Sequence, residues 1–369
     1  MKRGIGILLM CIAATAAGQT AAQSKSFEQL SRRAEQAYEA KHDDEALRLY
    51  RDTVKMRPDW AQGWWAIGMI SYEHNRYPEC RDALTRMVKL DASAAPGWAL
   101  LGLCEFQTKQ YDLAFKHLKR AHMLVPVRED GGQLLNMANY HLALLLTRQG
   151  AFEMAQEILV EVAIRIRNNP DMVFASGVAS LRMPILPSQV PADQRDVVAM
   201  AGKAFWDLAS ELPEQAESDF KALVEAYPNF PNVHYFYGTF LAARRPSQCD
   251  AEFLAELKVN PESVPARVEL TLRYIIEGKT AEALKYAKDA VALSPDSVGS
   301  QLALGEALRA SGDDKDALKA YLAAEQLNPN SSKIRLYLAN EYRALGRVKD
   351  MLHERNEYRR LKKEQPNWP

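Results

Sequence analysis

The sequence predicts an all-α solenoid, a stack of short helical hairpins, and three observations predict it. A small residue recurs at a fixed interval: Ala34, Gly68 and Gly102 stand 34 residues apart, and Ala204, Gly238, Thr271, Gly305 and Ala339 follow at steps of 34, 33, 34 and 34. A proline closes the period at Pro58, Pro126, Pro228, Pro261, Pro295 and Pro329. Between small residue and proline lie two stretches with apolar residues at helical spacing, joined by a tight turn. A hairpin of that size cannot bury its own apolar stripe, so each copy needs neighbours on both sides.

Ala95 to Arg128 is the clearest copy. In its first helix Trp98, Leu101, Gly102 and Glu105 share one stripe; in its second, Ala114, Leu118 and Ala121 do, and Pro126 ends it. Gly102 and Ala114 read as points of close helix approach, with Trp98 and Leu118 as bulky wedges. The small residue of the second helix recurs at Ala46, Ala114, Ala155, Ala216, Ala283 and Ala317, each followed four residues later by Tyr50, Leu118, Leu159, Phe220, Ala287 or Tyr321. This pattern resembles the tetratricopeptide repeat, in which a bulky residue, Leu-Gly, an aromatic, Ala, an aromatic and Pro are spread over 34 residues. The resemblance covers nearly all of the chain and about nine units. It implies a right-handed superhelix whose first helices line a concave groove.

Taken in order, residues 1–22 read as a secretory signal peptide. Lys2 and Arg3 precede an apolar run from Ile5 to about Ala17, and small residues offer cleavage after Ala22 or Gly18. The run is short for a membrane span. Lipidation at Cys11 is disfavoured because Met10 is bulky where such sites need a small residue. Residues 27–169 hold four units; the second departs from the pattern at Ala92, and the fourth starts seven residues late, after Gly131 and Gly132. In 170–196 the repeat dissolves: Met172 to Arg182 could form one helix, but Pro184, Pro187 and Pro191 interrupt it, leaving a proline-rich spacer or a degenerate half-unit. Five units follow in 197–363. The last second helix turns polar, with Met351 in the alanine place and Arg355, Arg359, Arg360, Lys362 and Lys363 along it, as a solvent-facing cap requires. Residues 364–369 form a tail.

The charge balance, 47 basic against 47 acidic residues, argues against a nucleic-acid binder, which carries a concentrated basic surface. Without the signal, Cys80, Cys104 and Cys249 remain. Cys80 and Cys249 stand where second helices usually carry alanine, so one reading is a small core residue. The other pairs Cys80 with Cys104, because a second helix packs on the next first helix; in an oxidising compartment the odd number leaves a thiol over. No C-x-x-C, H-E-x-x-H, G-x-S-x-G or phosphate-binding glycine loop occurs. His117 and His122, five apart, fall on different helix faces; His141 and His234 read as packed or surface residues of first helices. No catalytic, cofactor or metal site is expected.

What remains is a surface. Residues of first helices not needed for packing are Trp65, Met69, Tyr72, Leu103, Phe106, Met137, Tyr140 and Leu144, then Phe205, Tyr235 and Thr239. Aromatic residues and methionine at this density suit a peptide-binding groove. A second, polar groove would hold Arg309, Lys333, Asn340 and Arg343, similar in residue type to the two-carboxylate clamp of some tetratricopeptide domains but shifted and mixed with Leu302, Glu306 and Leu336. The resemblance thus implies a non-catalytic module, exported to periplasm or extracellular space, with a protein or peptide partner, no nucleic acid and no membrane span. The alternatives are a self-associating scaffold of an envelope complex, and an accessory subunit recruiting substrate for a separate enzyme such as a polysaccharide synthesis or export system.

Overall fold

The computed structural model describes residues 24–125, 132–166 and 169–364. The signal-like segment, Cys11, Pro126, Gly131 and the tail beyond Glu364 lie outside them. The described residues form nineteen α-helices and no strand. They fall into two compact units, Met1–Leu145 and Leu146–Pro369. The division lies inside one helix rather than at 170–196, which belongs to the second unit throughout.

The first unit holds α1 (24–39), α2 (Asp43–Met56), α3 (Ala61–Glu73), α4 (Tyr77–Leu90), α5 (Ala95–Gln107), α6 (Tyr111–Leu124) and most of α7 (Gly132–Arg148). Two local rules build each hairpin. At the tip, one residue turns left-handed: Lys41 (φ 58°), Asn75 (58°) and Lys109 (59°), again 34 residues apart. The next amide folds back on the helix, as where Arg76 N–H donates to Ser71 O (2.7 Å) and Gln110 N–H to Glu105 O (2.9 Å). That satisfies carbonyls the helix end would leave bare. Within the hairpin, the small residue of the first helix receives a large side chain of the second. A Cβ on Gly68 would lie 2.6 Å from Leu84 Cγ, and one on Gly102 2.6 Å from Leu118 Cγ. Leu118 is therefore seated over Gly102 rather than wedging the helices apart.

A third rule was invisible in the repeat pattern. Trp64 Nε1–H donates to Pro58 O at 2.8 Å, and Trp98 Nε1–H to Ala92 O at 3.0 Å. α3 and α5 are thus each pinned by one side chain to the closing loop six residues earlier, so the Ala92 departure changes no contact made through its carbonyl. A disulfide joins Cys80 of α4 to Cys104 of α5, with Cα atoms 6.4 Å apart. It ties one hairpin's second helix to the next hairpin's first.

The second unit continues with α8 (Phe152–Arg165), α9 (Pro170–Ser180), two 3-10 turns (Pro187–Gln189 and Ala192–Gln194), α10 (Arg195–Ala209), α11 (Pro213–Ala226), α12 (Val233–Arg244), α13 (Cys249–Val259), α14 (Val264–Ile276), α15 (Thr280–Leu293), α16 (Val298–Ala310), α17 (Asp314–Leu327), α18 (Ser332–Ala344) and α19 (Val348–Glu364). The same rules hold, except that the α12–α13 tip has no left-handed residue. Tips are left-handed at Gly150, Glu211, Gly278, Gly312 and Gly346; Gly150 falls seven residues past the phase of Lys109, as the late start of the fourth unit requires. Phe253 fills the place beside Gly238, and Tyr321 that beside Gly305. The pin to the residue six earlier is made by His234 Nε2 to Pro228 O (3.0 Å), Gln301 Nε2 to Pro295 O (2.9 Å) and Arg335 Nη2 to Pro329 O (2.8 Å).

The 170–196 segment is structured. Asn169 caps α9 by accepting from the Asp171 and Met172 amides at 3.1 Å, with Pro170 in the first helical position. Gly177 of α9 and Gly202 of α10 then face each other backbone to backbone: a Cβ on Gly177 would lie 2.8 Å from Gly202 N, and one on Gly202 3.2 Å from Gly177 N. Leu186 and Val190 are buried beneath the proline turns. Asn232 Nδ2–H reaches back to Leu181 O at 3.0 Å. At the far end, α19 buries only Glu354 and Leu361, the composition of a cap.

Candidate peptide-binding face

The packing decides which expected groove residues reach solvent. α5 contacts α3, α4 and α6, and of its thirteen residues nine are buried, leaving Pro96, Trp98, Phe106 and Gln107. Leu103 is therefore core, with 0% exposure, and offers no groove contact. Leu144 of α7, Phe205 of α10 and Tyr235 of α12 are also buried. Counting from one packing stripe placed them outside it, but a first helix in a stack is packed on more than one side. The Tyr235 ring lies 6.1 Å from Phe253 and carries the Arg182 guanidinium 5.4 Å from its centroid. Thr239 is half-buried and its hydroxyl donates to Phe236 O of its own helix at 2.7 Å. These five leave the groove assignment.

Six residues, all in the first unit, stay half-exposed: Trp65, Met69 and Tyr72 on α3, Phe106 on α5, Met137 and Tyr140 on α7. Residues missed from sequence brace them. Tyr77, at the start of α4, meets Tyr72 edge-on at 5.7 Å, and Tyr111, at the start of α6, meets Phe106 at 5.4 Å. The Tyr77 and Tyr111 positions are 34 apart, a signal the repeat could have supplied. His141 stands edge-on to Phe106 (4.6 Å) and Tyr140 (5.2 Å), while its Nδ1–H donates to Met137 O at 2.9 Å. Burial holds the imidazole below its usual pKa, so the neutral ring packs as another aromatic. Tyr72, Phe106 and Tyr140 are thus each fixed by a neighbouring ring, which limits the rotamer entropy lost when a ligand covers them.

In the second unit, Arg309, Asn340 and Arg343 do come together. They line a pocket of about 440 Å³ with Glu306, Tyr321, Tyr337, Glu341 and Ala344. Lys333 is exposed and lies outside the lining. Two carboxylates share this pocket with the two guanidiniums, which separates it from an all-basic clamp.

Other polar side chains serve the fold. Glu256, fully buried, accepts from the Asn232 amide (2.9 Å) and Tyr235 amide (3.3 Å) at the start of α12, a carboxylate at the positive end of a helix. Glu105 accepts from His117 at 2.8 Å under the Trp98 ring. Cys249 is buried and donates to Pro246 O at 3.2 Å; burial pushes its thiol up to about 11, out of reach of easy ionisation. Among the described residues no three His, Cys, Asp or Glu side chains gather as a metal cluster, and no helix is long and apolar enough to cross a membrane.

Against known proteins, the tetratricopeptide repeat family model matches residues 32–95 and 277–332. The chain thus carries tetratricopeptide repeats. It is similar to human protein O-mannosyl-transferase TMTC3, 22% identical over 267 residues, which make up 68% of this chain and 28% of that protein's length. Among solved structures it is similar to MamA from Desulfovibrio magneticus RS-1 (19% identity, 46% of this chain and 96% of that one, TM-score 0.41). It is also similar to the APC/C hetero-tetramer Cut9-Hcn1 (14% identity, 91% of this chain and 72% of that one, TM-score 0.34). Its repeats are of a kind that binds proteins and is typically non-catalytic.

Proposed function

We propose that this chain is an exported, non-catalytic interaction module whose first unit grips a peptide segment of a partner protein. One observation carries the reading: Trp65, Met69 and Tyr72 on α3, Phe106 on α5 and Met137 and Tyr140 on α7 all stay half-exposed, and Tyr72, Phe106 and Tyr140 are braced ring against ring. A face that was merely solvated would carry charges, as α19 does. Large rigid side chains give contact area at little entropic cost. Export is supported by Lys2, Arg3 and the apolar run after them, and by the Cys80–Cys104 bridge, which suits an oxidising compartment.

The test replaces Trp65 and Tyr72 together by alanine in the full chain and compares crosslinked capture from envelope extract. Loss of a captured partner by at least about tenfold, with helicity and melting unchanged, supports the face as an anchor. Undiminished capture, or a large loss of stability, removes it. If the only captured species is the chain itself, the scaffold reading replaces this one.

A further inference from the structure

The pocket between α16, α17 and α18 contains a buried carboxyl that nothing in the fold explains. Glu341 is 0% exposed and neither Oε1 nor Oε2 has a hydrogen-bond partner in the protein. At the same register other hairpins carry Ile70, Cys104, Phe240 and Ala307, all apolar. Where the register carries another charge, at Arg273, the charge is paired twice, with Asp250 and Glu277, each at 3.1 Å. Glu341 alone is left without a mate, an expensive arrangement unless something else supplies donors.

The surrounding charges say what kind of donor. Glu306 and Arg309 face Glu341 from α16, Asp314 and Tyr321 from α17, and Tyr337 and Arg343 lie on its own helix. Arg309 is already engaged, donating to Glu306 Oε2 at 2.7 Å, and Tyr321 O–H donates to Glu306 Oε1 at 2.5 Å. Burial raises the Glu341 pKa, Asp314 and Glu306 raise it further, and Arg309 opposes them. Arg309 and Glu306 cancel as a pair and Arg343 stands on the pocket lining, which leaves the Glu341 carboxyl, with Asp314 beside it, as the buried group still lacking a donor. The Tyr321 and Tyr337 rings, stacked at 5.4 Å and 25°, give one wall a flat π face.

We propose that this pocket receives the guanidinium of an arginine side chain on a partner segment, its paired N–H groups donating to the two oxygens of Glu341. Having no hydrogen bond to lose in its present pose, the Glu341 side chain turns toward the guest at the expense of a rotamer change only. A planar fork meeting both carboxylate oxygens is the strongest hydrogen-bonded match available to it. The site lies in the second unit and does not depend on the aromatic face of the first.

The experiment is calorimetric titration of the full chain with a capped Ala-Arg-Ala peptide and its lysine, citrulline and aspartate counterparts. The arginine peptide should bind saturably, one per chain, with lysine weaker and citrulline silent. Affinity should rise from about pH 5 to about pH 8 as Glu341 loses its proton. Glu341→Gln should weaken arginine binding about tenfold and abolish that pH dependence, and Tyr337→Ala should weaken binding with the pH dependence kept. Glu341→Gln removes a buried charge without removing volume, so its melting temperature should not fall. Equal binding by wild type and Glu341→Gln, preference for the aspartate peptide, or no saturable binding by any of them overturns the proposal.

Discussion

Gly202→Ala is the sharpest perturbation the fold offers, because the obstacle it creates is backbone. The new methyl would overlap the carbonyl oxygen of Val173 and lie 2.9 Å from its carbonyl carbon and 3.2 Å from Gly177 N, where ordinary contact begins near 3.4 Å. Neither helix can yield by a side-chain rotation, so α9 and α10 must separate. Met172, Ala175, Ser176, Val178 and Ala179 on one side, and Val197, Val198, Ala201 and Phe205 on the other, are buried along these helices. A gap of about 0.5–1 Å forfeits a quarter to a half of each contact's attraction. Overpacking of this kind costs about 1–3 kcal/mol, and a rigid neighbour puts it at the upper end. Against this, alanine gains about 1 kcal/mol over glycine in a helix interior. The net expectation is a loss of about 2 kcal/mol.

Urea denaturation followed by circular dichroism reads the loss, and hydrogen exchange localises it, since repeat stacks need not unfold as one block. Amide protection should fall in α9 and α10 before it falls elsewhere. Gly299→Ala is the control. A Cβ there meets only Ser297 Oγ at 3.7 Å, so no clash arises, and in the first turn of α16 the variant should be as stable as wild type or gain a fraction of the roughly 1 kcal/mol of a helix interior. If Gly202→Ala were as stable as wild type, the two helices would not be in backbone contact and the packing assigned to the 170–196 region would be refuted.

Two further outcomes follow from buried polar groups. His234 donates from both ring nitrogens, to Glu252 (2.6 Å) and to Pro228 O (3.0 Å), and the Glu252 hydrogen bond, with its charge and that of Glu256, raises its pKa against burial. Its contribution is therefore full below the ordinary value of about 6.5 and lost as pH rises through the raised one; His141, with a lowered pKa, does the reverse and penalises the fold as pH falls. Thermal melts should show His234→Gln costing more at about pH 6 than about pH 8, and His141→Gln costing less at about pH 5 than about pH 8; pH-independent differences would refute both assignments. Trp98→Phe keeps an aromatic ring, though a smaller one, and removes the N–H that pins α5 to Ala92 O; it should cost at least about 1 kcal/mol by chemical denaturation, and a neutral result would mean the pin is incidental.

The parts of this fold legible in the sequence are those that demand one residue type. A first helix that receives Leu84, Leu118 or Tyr321 against its backbone needs glycine, so Gly68, Gly102 and Gly305 mark the phase. The pin to the closing loop demands only an N–H at one place. Tryptophan, histidine, glutamine and arginine all supply it, so Trp64, His234, Gln301 and Arg335 share no visible identity. The Gly177–Gly202 contact falls outside the 34-residue phase and had nothing to repeat against. Leu103, Leu144, Phe205 and Tyr235 failed as groove residues for a different reason: whether an apolar residue is covered depends on the neighbouring hairpins, which the hairpin's own spacing does not encode.

The same division bears on function. Positions constrained by stacking are spent on glycine, alanine and the left-handed tips, and cannot vary with the ligand. Recognition must then be written in the few first-helix positions that no neighbour covers. In α3, α5 and α7 those include the rings and methionines Trp65, Met69, Tyr72, Phe106, Met137 and Tyr140; on α16 and α18 they include Arg309, Asn340 and Arg343 around a hidden carboxyl. A single extended ligand of uniform chemistry would select one character for both surfaces. Their difference is what two recognition tasks would produce, an apolar anchor in the first unit and a charge-reading pocket in the second. The paired tests separate them: the Trp65/Tyr72 double variant should retain arginine-peptide binding, and Glu341→Gln should retain capture through the aromatic face.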